Sequence, residues 1–433
     1  MRYYSTNGSE TSVDLQEAVM HSFASDGGVY MPKSIPVLPK AIFNNIGDMS
    51  LTDIAYVIGS TLFGSDIEME LINDIVKETI RFELPMLKLS RRMYALELFH
   101  GPTGTFKDVG ARFMAKIVKY FLTHGSGCDS SVNLLVATQG DTGCAVASAF
   151  SSMPGVNVFI FHPSDRELRM PEHFSSTFAG NVIPVEVRGT LDDCQELVRR
   201  AYEDEEINSR MHLTSANSIN IARLLPQTFF YFYAYARLKA LGEKTDKIAI
   251  SMPCGNLGNL TAALFAKKMG LPISRIMAAG RGHERLWGEM QGGLLSVNHF
   301  NQRALSTNLS RINRLMDDDP SLASIVDCYT YNYDEIAEQI SLMYSANNYI
   351  MDRNTSMACR ALMENIHEDE VGVFLATAHP AMYASKLKEI IGVNLSPSGM
   401  IRRKSFRDRS APISPTLPAV RHFLLSNAAR NHY

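Results

Sequence analysis

Three groups of residues in this chain have types and spacing that suit chemistry. The first is Gly255-Asn256-Leu257-Gly258-Asn259, which follows an apolar run at 248–252 and precedes a helical pattern at 260–269. Glycine and asparagine accept positive φ, so successive backbone N–H groups can converge on one point. The helix N-terminus that follows adds unpaired donors and a positive dipole end. Such a loop suits a phosphate, and the same composition also serves a tight strand-to-helix turn. It has neither the Lys-Ser/Thr pair of a P-loop nor the third glycine of a dinucleotide fingerprint.

The second group is His100-Gly101-Pro102-Thr103-Gly104-Thr105-Phe106-Lys107-Asp108. A helix is expected over 106–121, burying Phe106, Val109, Phe113, Ile117 and Phe121 at helical spacing. A lysine in the first turn opposes the helix dipole, and the field there favours the neutral amine. A neutral lysine is the nucleophile that forms a Schiff base. A solvated surface lysine is the commoner use of such a position.

The third group is Ser215-Ala216-Asn217-Ser218-Ile219-Asn220-Ile221-Ala222-Arg223. Arg binds phosphate through two parallel donors, and Ser and Asn complete such a shell. A polar helix cap with a surface arginine reads the same way. A further strand-to-helix junction, Thr138-Gln139-Gly140-Asp141-Thr142-Gly143, follows a predicted strand at 132–137. Asp141 and Thr142 suit helix capping, and they also stand where α/β proteins bind ligands. A phosphate site together with a Schiff-base lysine points to pyridoxal 5′-phosphate (PLP). A second anion site points to a substrate carrying its own phosphate.

The elements that must position these residues change character along the chain. Residues 1–85 read as a helical segment, with Leu15, Val19 and Phe23 on one face and amphipathic helices at 51–63 and 71–82. From about residue 90, apolar runs at 132–137, 156–161, 182–187, 248–252 and 371–377 alternate with helical patterns. These patterns fall at 143–152, 192–202, 221–241, 260–269, 310–319, 333–347, 358–366 and 381–391. Alternation of this kind implies βαβ units around parallel sheets, an α/β fold. The expected domains are 1–85, 86–395 and a basic tail at 396–433. The tail is rich in Ser, Pro and Arg and is expected to be largely disordered, with a short amphipathic piece at 420–425 that docks.

Composition narrows the classes. The 433 residues are 45% apolar and 20% charged, which excludes a disordered or fibrous chain. A net charge of −3 provides no general field for nucleic acid or an acidic membrane. The tail carries seven Arg/Lys against one Asp, a charge of +6, so the other residues hold −9. Six scattered cysteines without a Cys-x-x-Cys pair imply free thiols in a reducing cytoplasm and no zinc cluster. The polar N-terminus lacks a signal-peptide core, and no apolar run approaches a membrane span. No metal or hydrolase signature is present.

With these residues in view, the chain resembles the threonine synthase family. The resemblance is carried by the stretch from Leu96 through Lys107 and Asp108, by Gly140-Asp141-Thr142-Gly143, and by Ser215-Ala216-Asn217-Ser218-Ile219-Asn220. It continues through Gly255-Asn256-Leu257-Gly258-Asn259 and Ala376-Thr377-Ala378-His379-Pro380-Ala381, and it covers roughly residues 2–392. The opening Tyr3-Tyr4-Ser5-Thr6-Asn7 is similar to the family's N-terminal domain. The resemblance implies PLP fold type II, with two parallel-sheet subdomains behind a small helical domain. It implies conversion of O-phospho-L-homoserine and water to L-threonine and phosphate through a Schiff base of the coenzyme with substrate.

By that resemblance Lys107 carries PLP, and Gly255, Asn256, Leu257, Gly258 and Asn259 bind its phosphate. Thr377 meets the pyridine nitrogen and Asp141 lies near the 3′-oxygen. Thr142, Asn217, Ser218 and Arg223 serve the substrate. A diverged fold-type-II lyase or replacement enzyme for another activated amino acid is the alternative, as is a catalytically silent relative. Several positions depart from the family pattern: Gln139, Met382, Arg353-Asn354 before Thr355, and the segments 164–171, 280–286 and 306–313. Monomer and homodimer both remain open.

Overall fold

The computed structural model describes residues 1–8, 11–125, 131–138, 140–164, 169–171, 180–280, 303–395, 403–405 and 412–428. Of the altered positions, Gln139, 165–168 and 281–286 lie outside the described residues.

Strands β1 (Tyr3–Ser5) and β2 (Tyr30–Pro32) form an antiparallel pair beside helix Leu15–His21. Helix Leu51–Phe63 starts on a capping box in which Ser50 and Asp53 satisfy each other's backbone N–H, and helix Met69–Thr79 follows. These helices share one apolar cluster with Leu96, Leu134, Phe113, Ile117 and Phe229 of the following region. Phe63 meets Phe113 at 5.2 Å between ring centroids, and Phe113 meets Phe229 edge-on at 5.8 Å.

Two sheets follow. One contains β3 (Met86–Lys88), β4 (Met93–Glu97), β10 (Ile248–Pro253), β11 (Ile273–Gly280), β12 (Val326–Thr330) and β13 (Val371–Ala376). Its order is β12-β11-β10-β13-β4-β3, parallel except that β3 runs against β4. The other contains β5 (Val132–Ala137), β6 (Val156–Pro163), β8 (Val182–Val187), β9 (Leu213–Ser215) and β15 (Pro412–Ile413). Its order is β15-β8-β6-β5-β9, parallel throughout. β5 and β13 are buried along their whole length because helices cover both sheet faces, which is why they read as unbroken apolar runs. The α/β class and the parallel sheets inferred from the alternation are both present.

The helical pattern expected over 221–241 divides into Ile221–Leu224, a 3-10 turn at Leu225–Gln227, and Thr228–Ala240. Pro226 lacks the N–H that would carry the ladder through. The helix expected over 106–121 runs Lys107–His124, with Phe106 half-buried at its start.

The tail corrects an expectation of disorder. β14 (Arg403–Ser405) pairs antiparallel with β7 (Arg169–Pro171), β15 extends the five-stranded sheet, and Leu417–Ala428 is a helix. Val420 and Leu424 are fully buried against helix Leu191–Glu203, so the expected docking of 420–425 is present. Arg421 bonds Asp204 at 2.6 Å and Glu206 at 3.0 Å. A composition biased toward disorder orders here because its few apolar residues share one helical face and its cation meets acidic partners.

Candidate active site

The loops that carry the candidate residues leave the C-terminal ends of β4, β5, β9, β10 and β13, where parallel strands present ligand-binding crevices. Both sheets contribute.

Lys107 opens its helix, and its Nζ lies 3.7 Å from Asp141 Oδ2 across the gap between the sheets. Lys107 is 28% and Asp141 19% exposed, so both border open space without lying on bulk surface. Thr142 is half-buried one residue on. The loop before Lys107 is tied to the end of β13. Phe106 N–H donates to the Thr377 carbonyl at 3.0 Å, and His379 N–H donates to the Gly104 carbonyl at 2.9 Å. Lys107 and Thr377 therefore belong to one hydrogen-bonded unit.

Two carboxyls brace this unit from below. Asp108 is buried and accepts from Thr103 N–H at 2.9 Å and Thr103 Oγ1 at 2.8 Å. Burial pushes its pKa up to about 6 against those bonds. Asp352 caps helix Arg353–Asn365 by accepting from Asn354 N–H at 2.8 Å, and it also accepts the Thr355 hydroxyl proton. Burial raises its pKa to about 6, with the Asp141 charge adding to the rise. Thr377 N–H donates to Thr355 Oγ1 at 3.3 Å, which links Asp352 to the Thr377 loop.

The 255–259 loop turns through Leu257, at φ 61° and ψ 3°. Left-handed backbone was expected on glycine or asparagine, and it falls instead on a leucine. Leu257 is 1% exposed, and its packed side chain holds a conformation that costs about 1–2 kcal/mol. Asn256 Nδ2 donates to Ser218 Oγ at 2.8 Å, and a Cβ on Gly258 would stand 3.1 Å from that oxygen. A Cβ on Gly255 would meet nothing within 4 Å. Asn259 is buried, and Tyr231 donates to its Oδ1 at 2.6 Å while its Nδ2 has no partner. An open approach over Gly255 and an unpaired buried donor at Asn259 fit an anion in this cradle.

Asn220 caps helix Ile221–Leu224, and its amide donates to the Val19 carbonyl and Ser22 Oγ, which fastens the 215–223 segment to the N-terminal region. Arg223 is 4% exposed, donates to the Ala216 carbonyl, and lies against Gly110. Burial lowers its pKa to about 10, with Asp108 opposing the fall. The surface placement weighed for this arginine is therefore not the one observed. Helix Ile221–Leu224 packs between helix Lys107–His124 and helix Gly258–Lys268, which joins the lysine side of the site to the cradle side.

Asp352, Thr355, Asn308 and Arg311 border this site and were not singled out for function from the sequence. The only local signal for the first two is an Asp-x-x-Thr capping pattern at a helix start. Asn308 and Arg311 lie in a segment noted only as a departure from a family pattern.

Residues 74–377 match the family described as Pyridoxal-phosphate dependent enzyme, so the lysine, cradle and paired parallel sheets belong to a PLP enzyme. Residues 2–80 match the family described as Threonine synthase N terminus. Threonine synthase from Haemophilus influenzae is 32% identical over 402 residues, covering 91% of this chain and 92% of that protein. The crystal structure of threonine synthase from Escherichia coli superposes with a TM-score of 0.85 at 30% identity, covering 98% and 100% of the two chains. PLP-bound threonine synthase from Brucella melitensis superposes with a TM-score of 0.83 at 25% identity over 99% of each chain. The chain belongs to the threonine synthase family.

Proposed function

We propose that this enzyme converts O-phospho-L-homoserine and water to L-threonine and inorganic phosphate, with PLP held at Lys107. In balance, the Cγ–O bond to the phosphate and one Cβ–H bond break, a new C–H bond forms at Cγ, and the hydroxyl of water bonds Cβ while its other proton leaves with phosphate. PLP, when bound, supplies an electron sink for a substrate carbanion. The observation that carries the reading is the Lys107 amine, paired with Asp141 and tied to Thr377, beside a cradle with an unpaired Asn259 amide.

Lys107 is the residue to hold the coenzyme and then to move protons at Cα and Cβ. One positioned base serves successive transfers when its pKa lies near the working pH. Asp141 keeps that amine oriented between transfers. Thr377 presents an uncharged group toward the ring, which moderates the sink relative to a carboxylate. The 255–259 loop, through Gly255, Asn256, Leu257, Gly258 and Asn259, anchors the cofactor phosphate. Asn217, Ser218 and Arg223 receive the substrate's phosphate, and Thr142 borders the reacting carbons. A cytoplasmic setting accords with the free thiols of Cys194, Cys254, Cys328 and Cys359.

The test combines turnover with trapping. Full-length protein loaded with PLP should release phosphate and threonine in equal amounts from O-phospho-L-homoserine. Borohydride should fix the coenzyme on Lys107 and fail to do so in Lys107→Ala. Release of phosphate without threonine would assign a different elimination reaction, and a label on any other lysine would overturn the site.

A further inference from the structure

Behind the 255–259 loop lies helix Arg303–Asp318. Two of its residues, one turn apart, face inward and are fully buried: Asn308 is 1% exposed and Arg311 0%. Asn308 Nδ2 donates to Ser218 Oγ at 2.9 Å and to the Asn256 carbonyl at 2.9 Å. Its own Oδ1 accepts from Arg311 Nη1 at 3.0 Å, which fixes which end of the amide faces Ser218. Arg311 also donates to the carbonyls of Ser218 at 2.9 Å and Tyr30 at 3.0 Å.

Two consequences follow. Ser218 Oγ accepts from both Asn256 Nδ2 and Asn308 Nδ2, so both of its lone pairs are used. Its hydroxyl is then left only to donate, at a point 3.1 Å from where a Gly258 Cβ would stand. Arg311 holds a full charge in the interior with neutral carbonyl and amide partners, and among the described residues no carboxylate pairs with it. A buried cation without a counter-charge is expensive, and an anion bound one residue away relieves that expense.

We propose that Asn308 and Arg311 are positioning residues for an anion in the 255–259 cradle. Asn308 orients Ser218 as a dedicated donor to the cofactor phosphate, and Arg311 fixes Asn308 and supplies the counter-charge. The inference rests on the proposed binding of PLP phosphate by this loop. It moves Ser218 from the substrate's phosphate to the cofactor's.

The test compares PLP with pyridoxal, which has the aldehyde and ring but no phosphate, by calorimetric titration of the full-length apoprotein. A hydrogen bond to a charged group is worth about 1.5–3 kcal/mol, or roughly 10- to 100-fold in affinity. Asn308→Ala and Ser218→Ala should each weaken PLP by about that factor and leave pyridoxal unchanged. The double variant should be no weaker than the worse single, because Asn308 acts through Ser218. Asn308→Gln should restore part of the loss, because it keeps the amide.

Arg311→Lys tests the charge without depending on an uncharged variant folding: PLP affinity should fall while preference for PLP over pyridoxal persists. Equal weakening of PLP and pyridoxal in Asn308→Ala would reduce the residue to a structural role and overturn the inference. Unchanged PLP affinity with weaker inhibition of the holoenzyme by inorganic phosphate would return Ser218 to the substrate and also overturn it. Borohydride labelling of Lys107 in wild-type protein alongside these titrations separates the outcomes. A label on Lys107 with no Asn308 effect fails this inference alone, and no label on Lys107 fails the reading beneath it.

Discussion

Replacing Gly110 by alanine sets helix propensity against tertiary packing. Gly110 lies inside helix Lys107–His124, where alanine is better than glycine by ~1 kcal/mol. By propensity alone Gly110→Ala stabilises the protein. A Cβ at this position, however, would stand 2.7 Å from the Arg223 carbonyl oxygen and 3.2 Å from Arg223 Cγ. Ordinary contact begins at 3.4 Å, so the Arg223 backbone must withdraw by 3.4 − 2.7 = 0.7 Å. That carbonyl belongs to a fully buried helix and has little room to retreat. Overpacking of this kind costs about 1–3 kcal/mol, so after the ~1 kcal/mol propensity gain the net loss is about 0–2 kcal/mol.

Function should suffer more than stability. A displacement approaching 1 Å in a positioned group costs up to ~100-fold in rate. The expected phenotype is a fall in kcat/KM for O-phospho-L-homoserine of ~10- to 100-fold, carried mainly by KM, with PLP affinity little changed. Urea unfolding and continuous phosphate-release kinetics on the full-length enzyme measure both quantities. A variant more stable than wild type by ~1 kcal/mol, with unchanged KM, would refute both the contact and the placement of Arg223 at the substrate.

Asp352 gives a pH signature. Its folded pKa of about 6 lies above its ordinary 3.8, so the native state holds a proton that the unfolded chain has lost. The stability linked to that proton is present below 3.8 and is lost as pH rises through about 6. Urea unfolding of Asp352→Asn between those values should show a shallower fall with pH than wild type, and an identical slope would remove Asp352 from the account. Deleting residues 412–433 removes the buried Val420 and Leu424 and should lower stability by ~3 kcal/mol, with kcat per folded molecule unchanged. Unchanged stability would mean that the tail helix contributes nothing to the fold.

Much of this protein was legible without coordinates. Helices Leu51–Phe63 and Tyr333–Asn347 and strands Val132–Ala137 and Val182–Val187 have the bounds their apolar spacing suggests, because periodicity and capping are local properties. Lys107, Asp141, Ser218, Arg223 and the 255–259 loop were legible as types, a candidate nucleophile, hydrogen-bonding groups and a candidate anion cradle beside predicted strand ends, whereas Thr377 was named only through the family resemblance. Short strands such as Leu213–Ser215 and Val326–Thr330 were not, since a few residues carry no period of their own and only neighbouring strands complete their hydrogen bonds.

What tertiary structure alone decided is which of these groups share a space and in what electrical state. No local pattern sets Lys107 3.7 Å from Asp141, 34 positions later, or turns the loop through Leu257 rather than a glycine. None buries Arg311 behind Ser218, 93 positions earlier, or draws a basic tail helix onto Asp204. A side chain's type is a covalent fact written once along the chain. Its burial, partners and proton depend on distances that exist only after remote segments have packed.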